Sequence, residues 1–205
     1  MLRIKLLAAV ATIFLVSPTW AQNVVVNPGF ENSGLTSWAS PGWTTNVGGV
    51  ISGSFSASTG CVGPMCIRNL DGSFDLTTGA SLYQDITTTP GSFYDLSFDF
   101  GAAGFENELV ALFGSVVAFD GVNLPTTTLT YSATGLLATG TTTRLAFLGR
   151  QDPAFNRLDN VSLVANGQVA AVPEPATWAM MLMGFGAMGA ALRRRRRTSN
   201  IFEAA

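Results

Sequence analysis

Tyr94-Asp95-Leu96-Ser97-Phe98-Asp99-Phe100 alternates apolar and polar side chains without a break. Successive strand residues point to opposite faces, so Tyr94, Leu96, Phe98 and Phe100 share one face. Asp95, Ser97 and Asp99 share the other. This is a β-strand with one side in a core and the other in water. Leu129 and Tyr131 flank Thr130 in the same way, as do Leu145 and Phe147 about Ala146, and Val161 and Leu163 about Ser162. Further strands are expected at Val47–Ile51, Ser81–Thr87, Leu109–Phe113 and Val116–Phe119. Turn signals separate them: Thr89-Pro90-Gly91, Asp120-Gly121, Leu124-Pro125 and the stretch Gly149 to Pro153. Many short strands at this spacing predict an all-β fold, a single β-sandwich or jelly roll. No internal repeat is evident.

Both ends of the chain read as targeting segments. Arg3 and Lys5 precede an eleven-residue apolar stretch, Leu6 to Val16, and Thr19-Trp20-Ala21 ends in a small residue. This layout predicts a secretory signal peptide over residues 1–21, with Gln22 as the new N-terminus. The Sec translocon and a signal peptidase are then expected partners. The alternative, a retained membrane anchor, would need a longer apolar core. At the other end Val172-Pro173-Glu174-Pro175 precedes an uncharged run, Ala176 to Leu192, and then Arg193, Arg194, Arg195, Arg196 and Arg197. Seventeen apolar residues are at the short limit for a transmembrane helix. Arginines directly after it favour the cytoplasmic side and stop transfer there. Residues 198–205 then form a short cytoplasmic tail.

Residues 22–171 remain as one domain, of ordinary size for a single core. From Gln22 to Pro175 there are twelve acidic and four basic side chains, a net charge of −8. That balance argues against nucleic acid as a partner. It suits a solvated surface able to collect divalent cations. The chain has no histidine. The usual general base and the Ser-His-Asp triad are therefore absent. Cys61 and Cys66 bracket Val-Gly-Pro-Met. In an oxidising compartment so close a pair is expected to form a disulfide. The alternative is metal binding, for which two thiolates fall short of the four ligands zinc takes.

The C-terminal order of parts resembles the PEP-CTERM sorting signal of Gram-negative bacteria. VPEPATWAMMLMGFGAMGAALRRRRR, residues 172–197, carries Pro-Glu-Pro, the Trp, Gly-Phe-Gly and the basic end in that family's order. The resemblance implies recognition by an exosortase, a transpeptidase-like membrane enzyme, with cleavage near Pro173, Glu174 and Pro175. The domain itself opens on Asn27-Pro28-Gly29-Phe30-Glu31 and closes on Leu158-Asp159-Asn160-Val161. With Leu82 to Thr87 and the Tyr94–Phe100 strand between them, this order resembles the galactose-binding-like β-sandwich of several carbohydrate-binding modules. That resemblance implies a structural Ca2+ held by Glu31 and Asp159. Calcium takes hard oxygen ligands such as carboxylates. The alternative is that both are ordinary turn and strand-edge acids.

Trp38 and Trp43 are either sugar-stacking platforms or core residues that cap the sandwich. Arg150-Gln151-Asp152 and Glu106-Asn107-Glu108 are polar loop candidates for a binding rim, or plain solvated loops. The expected function is that of a non-enzymatic exported protein of the cell surface or extracellular matrix. Its expected partner is exopolysaccharide, as in a biofilm. A structural or adhesive protein without sugar binding is the alternative. A glycoside hydrolase would need two carboxylates in register, and no pair stands out.

Overall fold

The computed structural model describes residues 22–76, 80–104, 106–168 and 175–199. The expected signal peptide, Pro173, Glu174 and residues 200–205 lie outside them. Among the described residues nine strands form two sheets. In spatial order, the five-stranded sheet comprises β1 (Thr44–Thr45), β2 (Ala57–Thr59), β9 (Asn156–Gln168), β4 (Ser92–Gly101) and β7 (Leu129–Leu137). The four-stranded sheet comprises β3 (Ser81–Thr87), β8 (Thr142–Gln151), β5 (Asn107–Phe113) and β6 (Val116–Val122). This is the expected all-β sandwich.

The alternation of Tyr94 to Phe100 is realised in β4, whose apolar side chains are buried and whose aspartates are half-exposed. Its central ring, Phe98, meets Phe147 of β8 edge-on at 5.1 Å between centroids. It also meets Phe119 at 5.6 Å and stacks on Tyr131 at 5.9 Å. Leu109, Phe113 and Leu145 from the four-stranded sheet, with Leu158, Val161 and Leu163 from β9, complete the core. Each fully buried side chain of this size contributes roughly 1.5–3 kcal/mol by leaving water.

Four expectations are corrected. Val47–Ile51 is not a strand. Asn46, Gly48 and Gly49 all have positive φ there, which breaks an extended run. Asp120-Gly121 is not a turn but lies inside β6, which continues past Phe119 to Val122. Gly149 to Gln151 likewise extends β8 instead of ending it. Finally, β8 does not alternate. Ala146 and Leu148 are as fully buried as Leu145 and Phe147.

The covering segment explains that burial. Residues 61–76 cross the outer side of the four-stranded sheet, led by a 3-10 turn at Pro64–Cys66. Ile67 and Cys66 are buried there. Arg68 reaches Glu108 on β5 and Asp120 on β6 at 3.3 and 2.9 Å. Cys61 and Cys66 form the expected disulfide, which closes the base of this segment.

The chain divides into two compact units after Gly167. The second contains α1, Pro175–Ser199, a helix over the expected span 176–192. Among the described residues no helix is long and apolar enough to cross a membrane. Side chains of α1 are described for residues 179–190 and 193, so both ends of the expected span lie outside.

Replacing Phe98 by Ala removes three aromatic contacts at the centre of the sandwich. The expected loss is about 3–5 kcal/mol in urea unfolding monitored by tryptophan fluorescence. A loss below about 1 kcal/mol would show that the core does not depend on this ring.

Candidate functional site

The ends of the domain are joined by asparagines. Asn23 Oδ1 accepts from the N–H groups of Val25 and Leu163, and its Nδ2 donates to Val161 O at 3.0 Å. Val24 N–H donates to Leu163 O at 2.9 Å, which lays the first residues along β9. Asn27 adopts φ 53°, a conformation asparagine tolerates well. Its amide donates to Gly34 O and Thr36 O and accepts from Asn32 N–H. The tight turn so pinned drives Phe30 into the core, fully buried, and leaves Glu31 exposed.

Glu31 and Asp159 then grip the same loop. Asp159 is fully buried. Its Oδ2 accepts from Ser52 N–H at 3.0 Å, Ser52 Oγ at 3.0 Å and Ser56 Oγ at 3.1 Å. Its Oδ1 accepts from Asn160 N–H at 2.8 Å. Glu31 accepts from Ser54 N–H at 2.9 Å and Phe55 N–H at 3.1 Å. Gly53, between them, has φ 60°, and a side chain there would collide with the Glu31 carboxylate. Burial pushes the Asp159 carboxyl above the usual carboxylate range, and the Asn160, Ser52 and Ser56 hydrogen bonds oppose it.

The sequence thus brings Glu31 and Asp159 to one place, but their surroundings do not fit a calcium ion. A side chain at Gly29 would approach Asp159 Oδ1 at 3.7 Å and Glu31 Cγ at 3.8 Å, so the two acids are neighbours. Their oxygens are already taken by N–H and O–H donors of Ser52, Ser54, Phe55, Ser56 and Asn160. Calcium takes six to eight oxygen ligands. Among the described residues no third acidic side chain joins this pair as a metal cluster. Ser52 and Ser56 are missed by the sequence because they follow Val47–Ile51, which reads there as a strand. The density of Gly and Ser from Gly48 to Ser56 is the turn signal that marks this loop.

For Trp38 and Trp43 the structure selects the second of the two readings, core residues. Both are 6% exposed, so neither face is open to a sugar. Trp38 Nε1 donates to Asn27 O at 3.1 Å and Trp43 Nε1 to Ala80 O at 2.8 Å. Both rings are core residues with satisfied indole N–H groups. The proposed rim residues are also structural. Asn107 and Gln151 are buried and paired across β5 and β8. Asn107 holds Gly104 and Leu124, and Arg150 forms an ion pair with Asp152.

A cleft of about 590 Å³ lies between the opening segment and β3, lined by Asn23, Val26, Ser37, Gln84, Asp85 and Thr87 among others. Its polar groups are mostly engaged. Gln84 bridges Val26 N–H, Val26 O and Ser37 O. Asp85 is bound by two Arg144 nitrogens, which hold its carboxyl below the usual range. On the far edge of the same sheet Glu108 and Asp120 share Arg68. Burial raises the Glu108 carboxyl, opposed by Arg68. Two close carboxylates, one raised, are half of a glycosidase site. Here a guanidinium stands between them, where the glycosidic oxygen would have to go.

The comparisons agree with this architecture. The PEP-CTERM protein-sorting motif matches residues 171–197, one residue more than the segment read from the sequence, so the chain carries that motif. No curated protein sequence matches the chain. The fold is similar to TmCBM61, solved in complex with β-1,4-galactotriose. The two are 12% identical with a TM-score of 0.51, over 71% of this chain and 99% of that one. The CBM22-1 xylan-binding domain of Paenibacillus barcinonensis Xyn10C is also 12% identical, with a TM-score of 0.49, over 75% and 100%. The K3 cleaved adhesin domain of Lys-gingipain from Porphyromonas gingivalis is 16% identical, TM-score 0.49, over 68% and 98%. The two-sheet domain therefore shares the jelly-roll fold of TmCBM61.

Asp159→Ala leaves the Ser56 hydroxyl and Ser52 N–H without their acceptor, and about 2–3 kcal/mol of stability should be lost. Glu31→Ala, at an exposed position, should cost about 1 kcal/mol. The wild-type melting temperature should be the same in calcium and in chelator. A rise with calcium, abolished by either substitution, would restore the metal site.

Proposed function

We propose that the protein is exported, processed at its PEP-CTERM motif by an exosortase, and acts outside the inner membrane as a non-catalytic module that binds polysaccharide. The observation that carries this reading is the order of parts along the chain. β9 ends at Gln168, and the sorting motif spans 171–197. A folded jelly roll is thus followed almost at once by the sorting signal. Pro173 and Glu174 lie outside the described residues, and Pro175 opens α1 at the first helical position, where proline is well tolerated.

The rest of the molecule supports the same reading. The disulfide belongs to an oxidising compartment. A net charge of −8 from Gln22 to Pro175 keeps an exported domain soluble and away from nucleic acid. Without histidine, and with Glu108 and Asp120 tied to Arg68, the acids serve the fold. The jelly-roll scaffold, shared with sugar-binding modules, is the ground for polysaccharide as the partner. Fold alone does not assign a ligand, so the partner rests on analogy.

Replacing Pro173, Glu174 and Pro175 together should leave the protein uncleaved and in the membrane fraction of cells that carry an exosortase. Immunoblots of membrane and medium read the outcome. Processing that continues unchanged in the triple variant would overturn the sorting assignment.

A further inference from the structure

Four arginines lie between Gln22 and Pro175. Three pair with acids: Arg68 with Glu108 and Asp120, Arg144 with Asp85, and Arg150 with Asp152. Arg157 does not. Among the described residues it has no ion pair, and its Nε is buried without a hydrogen-bond partner. Its Nη1 and Nη2 make no hydrogen bond to the protein either, yet they are not buried. A guanidinium stays charged at any pH the protein meets. In a segment with twelve acidic residues, this one cation is left without an anion.

The surroundings keep its head bare. Arg157 is the second residue of β9 and pairs directly with Ser58 of β2. Paired residues of antiparallel strands share a face, so the Ser58 hydroxyl, also buried and without a partner, lies beside the arginine stem. A side chain at Gly101 would come within 3.2 Å of Arg157 Nη2 and 2.8 Å of Thr128 Oγ1. One at Gly49 would come within 3.6 Å of Nη1. Glycine at both positions lets the guanidinium lie close against the backbone there.

The neighbouring acids face elsewhere. Asp99 is two residues before Gly101 on β4, and its oxygens are taken by Thr130 Oγ1 and Asn160 Nδ2. Asp159 is held by Ser52 and Ser56.

An exposed aromatic ring completes the place. Phe155 lies two residues before Arg157, just ahead of β9, and is 37% exposed, with one edge of its ring close over Gly60. A side chain at Gly48 would touch both Phe155 Cβ, at 3.3 Å, and Arg157 Cδ, at 4.0 Å. The surface by Gly48 and Gly49 therefore sets the N–H donors of a planar guanidinium beside an apolar ring. A fork takes an oxyanion with two parallel hydrogen bonds. An aromatic face takes the C–H face of a pyranose.

We propose that Phe155 and Arg157 form a binding site for an acidic sugar, with the ring against the pyranose and the guanidinium on its oxyanion. This deepens the polysaccharide-binding reading and rests on it. The oxyanion is a uronate carboxylate or a sulfate ester, which share this chemistry. The net charge of −8 repels a densely charged polyanion. The fitting ligand is a polysaccharide whose acidic sugars are isolated among neutral ones.

The test uses the full chain in detergent solution and isothermal titration calorimetry. The probes are a galactose tetramer with a single galacturonate unit, its methyl ester and a singly sulfated galactose tetramer. An oxyanion-bearing tetramer should bind at least tenfold more tightly than the ester. R157Q should abolish that difference, R157K should restore part of it, and F155A should weaken all probes alike. Thermal melts of R157Q and R157K within a few degrees of wild type exclude misfolding. The tighter of the two acidic probes identifies the oxyanion. Equal binding of acid and ester, or R157Q binding the acidic tetramers as tightly as wild type, would overturn the site and leave the module reading standing. Binding of no probe would count against both.

Discussion

Burial of the Tyr94–Phe100 row between two sheets is the constraint from which the other features follow. Phe98 touches rings from β6, β7 and β8 at once, so it fixes the spacing of the sandwich. The opposite face of β4 must then carry polar groups, and these stitch the sheet sideways. Asp95 accepts from Gly135 N–H and Asn166 Nδ2. Asp99 accepts from Thr130 Oγ1 and Asn160 Nδ2. Each such hydrogen bond contributes about 1 kcal/mol net, against roughly 3 kcal/mol for a buried ring. The core sets the fold, and the aspartates choose its register.

The same reasoning explains how the domain closes. Its first residues and its last strand are joined by Asn23, and its opening turn by Asn27. Asp159 is the expensive member, a buried carboxylate stabilised by four donors from Ser52, Ser56 and Asn160. Its folded pKa is raised by burial, so its protonation linkage favours the folded state most below the unfolded value. That contribution fades as pH rises through the folded pKa. Asp85, held low by Arg144, runs the other way and loses its contribution as pH falls.

The sandwich was legible because alternation reports burial on one face, and β4 has one buried face. β8 was misread where a second layer, residues 61–76, covers its other side. Period two cannot anticipate a loop that folds back over a sheet. Cys61 and Cys66 were legible because ring closure across four residues is local. Glu31 and Asp159 bind one loop, and the donors around them depend on its path through Gly48, Gly49 and Gly53. The sequence leaves Trp38 and Trp43 open between sugar-stacking platforms and core residues. Their burial follows from packing, as of Trp38 on Phe30 and Phe147, which no local pattern records. Arg157 had no signal at all, since an arginine is notable only when its partners are known to be missing.

The central claim is that the jelly roll is an exported domain released from both targeting segments. Intact-mass spectrometry of the protein recovered outside cells of an exosortase-bearing host tests it most directly. The account predicts a species that begins at Gln22, ends within or next to Pro173-Glu174-Pro175, and is two hydrogen atoms lighter than its reduced form. An external species that retains Arg193 to Arg197, or one confined to the cell at full length, would contradict it.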